Sequence, residues 1–132
     1  MPGKVAAFAH YGAVLNNVQW SWSAKTPSEE VVLTFWQDLF NYKTKPVSYS
    51  VFDDPTINDR KNSHGNIERI ENLKWARDNC SGRLRVVVVN AVDPKASPRK
   101  IKSAYPRDNI IMKLIELNEE TGEFRAEMLP SS

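Results

Sequence analysis

The sequence predicts an α+β fold, a single domain over residues 1–132 whose curved, mostly antiparallel sheet of five to six strands forms a small open barrel covered by two or three short helices. Three observations carry that expectation. Apolar residues recur at period 2 or in short β-branched runs, as in Val18–Ser23, Val31–Trp36 and Leu84–Val92. Helical spacing appears only in short stretches between them. No strictly alternating βαβ pattern occurs, and no glycine-rich turn follows a strand, which argues against a doubly wound nucleotide-binding fold. With 132 residues, 41% hydrophobic and 26% charged, the chain is long enough to bury a core without metal or disulfide staples.

Val5, Phe8 and Ala9 fall at helical spacing, so residues 5–11 read as a short helix docked on the core and stopped at Gly12. Val18, Trp20 and Trp22 alternate with Gln19, Ser21 and Ser23 and predict a half-buried strand. Lys25-Thr26-Pro27-Ser28 turns it into Val31–Trp36, apolar on both faces, and the two read as a hairpin. From Asn41 to Gly65 turn formers dominate, with only a Val47–Val51 alternation among them, so this stretch reads as one long loop, of a length that points to a functional or a mobile segment. A second helix then opens at Ser63 or Asn66, with Ile67, Ile70, Leu73 and Ala76 inward and Glu68, Glu71, Lys74 and Asp78 outward; Ser81-Gly82 ends it.

Leu84–Val92 is expected at the middle of the sheet, because near-continuous valine suits a strand buried on both faces. Ser97-Pro98 resembles a hydroxyl cap followed by a first-turn proline, which predicts a brief helix over Arg99–Ala104 stopped before Pro106. Ile110–Leu117 and Phe124–Leu129 read as a closing strand pair joined by a polar loop with a glycine near its end.

Eighteen Lys and Arg against sixteen Asp and Glu leave a net charge of +2, too small to attract a polyanion globally. Binding would need a local patch, and Lys95, Arg99, Lys100, Lys102 and Arg107 supply one within thirteen residues, flanked by Asp93 and Asp108. A helix N-terminus at Ser97–Arg99 would favour phosphate; a merely solvated surface helix would carry the same charges. Aromatic residues complete the pattern. Trp20, Trp22 and Trp36 fall on adjacent expected strands, where they would either stack on a base or fill the core, and Trp75 reads as packing. Tyr11, Tyr42, Tyr49 and Tyr105 are expected at a pocket rim, the last three lying in or beside loops.

Catalytic and metal readings are thinner. The single cysteine, Cys80, excludes an internal disulfide, and with only His10 and His64 beside it no zinc spacing exists, so neither a metal nor a cofactor is expected. Cys80 lies at the end of a helix C-terminus, the wrong end of the dipole for a reactive thiolate. His10 would need an oriented polar partner to act as a base, and Asp53, Asp54 and Asp59 are explained by turn formation as well as by cation binding. No apolar run approaches the roughly 20 residues that cross a bilayer, and the residues after Met1 are too short and broken for a signal segment, so the chain reads as cytoplasmic without a membrane role.

Short strands, covering helices, an aromatic face (Trp20, Trp22) and a basic flank (Arg99–Arg107) together resemble the small β-barrels that read RNA or modified DNA, the PUA-like group with its ASCH and EVE-type relatives. That resemblance implies a non-catalytic nucleic-acid-binding module holding DNA or RNA phosphates with Lys95, Arg99, Lys100, Lys102 and Arg107. A modified or unstacked base would meet Trp20, Trp22, Tyr49 or Tyr105. The alternatives are a protein-interaction or self-associating accessory domain, and a small hydrolase or nuclease-like enzyme built on His10 and the Asp53, Asp54 and Asp59 loop.

Overall fold

The computed structural model describes residues 3–17, 21–52, 62–95 and 100–130. In chain order these form α1 (Lys4–His10), β1 (Ser23–Lys25), β2 (Val31–Trp36), a 3₁₀ turn (Gln37–Leu39), β3 (Phe40–Asn41), β4 (Ser48–Ser50), α2 (His64–Asn79), β5 (Arg83–Ala91), β6 (Ile101–Leu117) and β7 (Phe124–Met128). The strands make one open sheet in the order β1-β2-β5-β6-β7-β4-β3. It is therefore a seven-stranded mixed sheet rather than the expected five to six mostly antiparallel strands. β2 and β5 run parallel because the chain between them contains α2 as a crossover, while the other neighbours pair antiparallel.

The sheet cannot be flat. β2 and β3 stand five places apart in it, about 24 Å at the usual strand spacing of ~4.8 Å. Only Gln37–Leu39 join Trp36 to Phe40, a link that reaches at most about 15 Å. The sheet must curl to bring its two sides together, and ring contacts mark the approach. Phe35 of β2 lies 5.9 Å from Phe40 of β3 and 4.8 Å from Tyr49 of β4, and the Trp36 N–H donates to Tyr49 Oη at 3.0 Å.

Alternation along the strands sorts the core into two layers. Leu33, Phe35, Val86, Val88, Met112 and Phe124 meet inside the curl, closed off by Leu73 and Ala76 of α2. Val32, Val87, Val89 and Ala104 face outward under Ala7 and Phe8 of α1. β5 is thus buried on both faces, as its valines predict. On α1, however, Val5 and Ala9 are exposed and Ala7 and Phe8 are buried, because the helix settles on the outward valines through those two residues.

Of the two caps the sequence offers for α2, Ser63 and Asn66, Ser63 is the one used, its hydroxyl accepting the Asn66 N–H at 3.3 Å. Its inward face differs from the apolar stripe. Ile70, Leu73 and Ala76 are buried, but Ile67 is half exposed and Asn66, Arg69 and Asn72 are buried instead. These polar residues satisfy loop and strand groups: Asn66 donates to the Thr121 carbonyl and Asn72 to Ser23 Oγ, both at 2.7 Å. A Cβ at Gly122, whose φ is +81°, would collide with Asn66 Oδ1, so this joint needs glycine.

Two further expectations change. The stretch 41–65 holds the β3–β4 hairpin before residue 53, so it is not a single loop; residues 53–61 lie outside the described ones. The expected helix over Arg99–Ala104 is absent from residue 101 onward, where β6 runs as one strand to Leu117; Ser97–Arg99 fall outside the described residues. Pro106 does not stop a helix there. It stands where the β5–β6 register breaks, since Val87 opposes Pro106 but Arg85 opposes Ile111, leaving Arg107–Ile110 as a bulge against the single residue Val86. Proline has no N–H to give a ladder, and a bulge is where a strand tolerates it.

Candidate nucleic-acid interface

The bulge in β6 is held by α1. Tyr11, the residue after that helix, passes its hydroxyl into the gap: Oη donates to the Val86 carbonyl at 2.8 Å and accepts the Arg107 N–H at 3.0 Å. One side chain thereby replaces the ladder bonds that the bulge removes. Burial pushes the Tyr11 phenol above its ordinary pKa, outweighing the Arg107 N–H, which favours the ionised form; Asp108 adds to the rise. Beside it His10 Nε2 lies 2.7 Å from Asp108 Oδ2, so Arg107 and Asp108 are presented between helix and strand.

The basic residues lie around the first half of β6. Lys95 follows the end of β5, Lys100 precedes β6 and its carbonyl accepts the Val92 N–H at 2.9 Å, Lys102 is on the strand, and Arg107 is in the bulge. All four are exposed, and among the described residues none is in an ion pair. Lys74, Arg77, Arg85 and Arg125 are arranged differently, each within 4 Å of a carboxylate. Arg99 lies outside the described residues, and with it the expected phosphate-binding helix N-terminus.

The aromatic candidates separate. Tyr49 is not at a pocket rim; it is 2% exposed, packed 4.8 Å from the Phe35 ring and 5.8 Å from that of Phe124. Pairing of β4 with β7 turns it inward, so it is core. Trp20 lies outside the described residues. Trp22 is half-buried, and the Arg69 guanidinium stands 5.3 Å from its ring and 5.4 Å from that of Phe124. Tyr105 is exposed. It opposes Val88 across the ladder and therefore projects on the inner side of the sheet, at the end where β5 finishes. Two pairs further, Asn90 opposes Ser103 and donates to its hydroxyl at 3.1 Å, a polar pair that the sequence reading missed. Asn90 interrupts the valine run at the point where the inner side turns polar, which is the local signal that could have found it.

Of the catalytic candidates only His10 is among the described residues. His10 is partnered by Asp108, while Asp53, Asp54 and Asp59 lie outside the described residues. Among the described residues no three His, Cys, Asp or Glu groups could hold a metal ion. Burial and the carboxylates of Glu30 and Glu29 push the Cys80 thiol up, away from a reactive thiolate. Glu71 and Lys74 are 3.8 Å apart, an ion pair one helical turn long. Among the described residues no helix is long and apolar enough to cross a membrane. No protein-family model matches the chain, and neither a curated protein nor a solved structure matches it.

Proposed function

We propose that this chain is a non-catalytic nucleic-acid-binding module of PUA-like type, gripping the phosphates of DNA or RNA along the first half of β6. Lys95, Lys100, Lys102 and Arg107 would hold the backbone, with Arg99 between them in sequence, and Tyr105 would stack on an unpaired base. The observation that carries this reading is the absence of ion pairs at these four exposed cations among the described residues. A cation already paired must give up its carboxylate to take a phosphate, whereas these need only shed counterions and water. The curl of the sheet supports the barrel-like half of the reading. With Tyr49 in the core and Trp22 half-buried, Tyr105 is the exposed aromatic candidate for the base among the described residues.

The test is binding of the full chain to single-stranded and duplex oligonucleotides by fluorescence anisotropy at several salt concentrations. The Lys100→Glu/Lys102→Glu variant should weaken binding to every sequence. It should also flatten the slope of log affinity against log salt by about 1.8 on duplex, or about 1.4 on single strands. Tyr105→Ala should weaken single-strand binding by about 1–3 kcal/mol and duplex binding less. Unchanged affinity of the charge-reversed variant at low salt for all DNA and RNA tested would overturn the proposal.

A further inference from the structure

At the end of β5 away from Lys100 and Lys102, a cleft of about 420 Å³ is lined by Glu29, Glu30, Trp75, Arg83, Arg85 and Ile111, among others. The two ends of β5 are about 23 Å apart along the strand between Leu84 and Ala91, so this is a second place on the molecule. Its volume suits a small organic molecule.

The cleft holds four charges, and only two of them are used. Glu30 and Arg85 close on each other at 3.0 Å. The Glu29 carboxylate and the Arg83 guanidinium are exposed and have no ion pair among the described residues, yet both line the same cleft. Both are set by fixed backbone. Glu29 has φ +67°, a left-handed conformation unusual for glutamate, and its carbonyl accepts Trp75 Nε1–H at 3.0 Å and the Cys80 thiol at 3.5 Å. The Arg83 N–H donates to the Cys80 carbonyl at 3.0 Å, across a turn that contains Ser81 at φ +56°. Among the described residues Glu29 and Ser81 are the two non-glycine positions with positive φ, and both belong to the segments that frame this cleft. The Trp75 indole is held from a third side by the Lys25 ammonium, 4.1 Å from its centre.

We infer that the cleft binds a free α-amino acid with an apolar side chain. Its ammonium would meet Glu29, its carboxylate the Arg83 fork, and its side chain Trp75 and Ile111. A ligand of single charge would pair with only one of the two groups. A zwitterion matches both, and guanidinium is shaped to take a carboxylate through two parallel bonds. The site is independent of the nucleic-acid reading and stands or falls without it.

The experiment follows the Trp75 indole N–H in ¹H–¹⁵N spectra of the full chain, assigned with Trp75→Phe, during titration with L-phenylalanine and L-leucine to millimolar concentrations. A saturable shift is expected from both. N-acetyl-L-phenylalanine and L-phenylalaninamide, each lacking one charge, should bind about tenfold more weakly. Glu29→Gln and Arg83→Gln, both at exposed positions, should leave the melting temperature in place and weaken L-phenylalanine by a similar factor. Arg83→Lys, which keeps the charge and loses the fork, should fall between. No saturable shift, equal binding of the blocked and free amino acids, or indifference to Arg83→Gln would each overturn the inference.

Discussion

At Met112 and Lys113 β6 is paired on both sides, with β5 and β7, it continues along β7 to Leu117, and it turns Met112 and Leu114 into the core; between Ile101 and Pro106 it pairs, among the described residues, with β5 alone and exposes Lys102 and Tyr105. The bulge at Arg107–Ile110 separates the two halves, and Tyr11 holds it. The contrast shows how one strand serves two ends. Its second half is fixed by burial, and its first half is a sheet edge kept from pairing with other chains by lysine, proline and a bulge. Charge that blunts an edge is also charge left available to phosphate. The two roles differ in a measurable way, because edge protection alone has no salt-dependent ligand.

The contrast can be broken most severely in the second half. Met112 is fully buried, so Met112→Ala should cost about 2–5 kcal/mol in urea unfolding. In the first half, Lys102→Ala should stay within about 0.5 kcal/mol, as exposed substitutions do. A large loss at Lys102 would mean that the first half is structural, and would weaken the case for a binding edge.

At the boundary, Tyr11→Phe removes one donor and one acceptor and leaves the Val86 carbonyl and Arg107 N–H facing each other across the gap; about 1–3 kcal/mol is expected. Alkali gives an independent check. The folded pKa of Tyr11 is raised above the unfolded value of about 10. Its contribution is therefore fully present below that value and is lost as pH rises through the folded one. Stability measured from pH 8 upward should fall more steeply in the native chain than in Tyr11→Phe. Parallel curves would assign the alkaline loss to other groups.

What the sequence makes legible is local. Four consecutive valines mark β5 because burial on both faces needs no knowledge of neighbours, and Ser63 marks the start of α2 because a cap bonds three residues away. The misreadings have distant causes. Pro98 and Pro106 bracket a helix by local rules, but Pro106 serves a bulge whose partner strand lies some twenty residues earlier. Tyr49 looks like a loop residue among turn formers. Its inward direction comes from pairing with Ala126, although Val47, Tyr49 and Val51 at period 2 already carry the strand signal. The contacts of Tyr11 with Arg107 and of Trp75 with Glu29 join residues far apart in the chain, and no pattern of spacing encodes them.

The smallest effect concerns the other contact that α1 makes with the bulge. His10 and Asp108 meet with side chains 45% and 67% exposed, a pair that is ionic only while the imidazole is protonated, and exposed ion pairs contribute about 0–1 kcal/mol and are screened by salt. Asp108→Asn should therefore cost less than about 1 kcal/mol at low salt and nothing measurable at high salt, while the cost of Tyr11→Phe should be indifferent to salt. Hydrogen bonds made inside the gap compete with water that is partly excluded, whereas the ion pair competes with bulk solvent and its ions. A loss at Asp108 equal to that at Tyr11, or one that persisted in high salt, would make the ion pair the clasp and leave the phenol a filler of space. The opposite ordering keeps the bulge dependent on a neutral hydroxyl, so that the salt used to measure nucleic-acid binding at Lys100 and Lys102 does not itself loosen the strand that carries them.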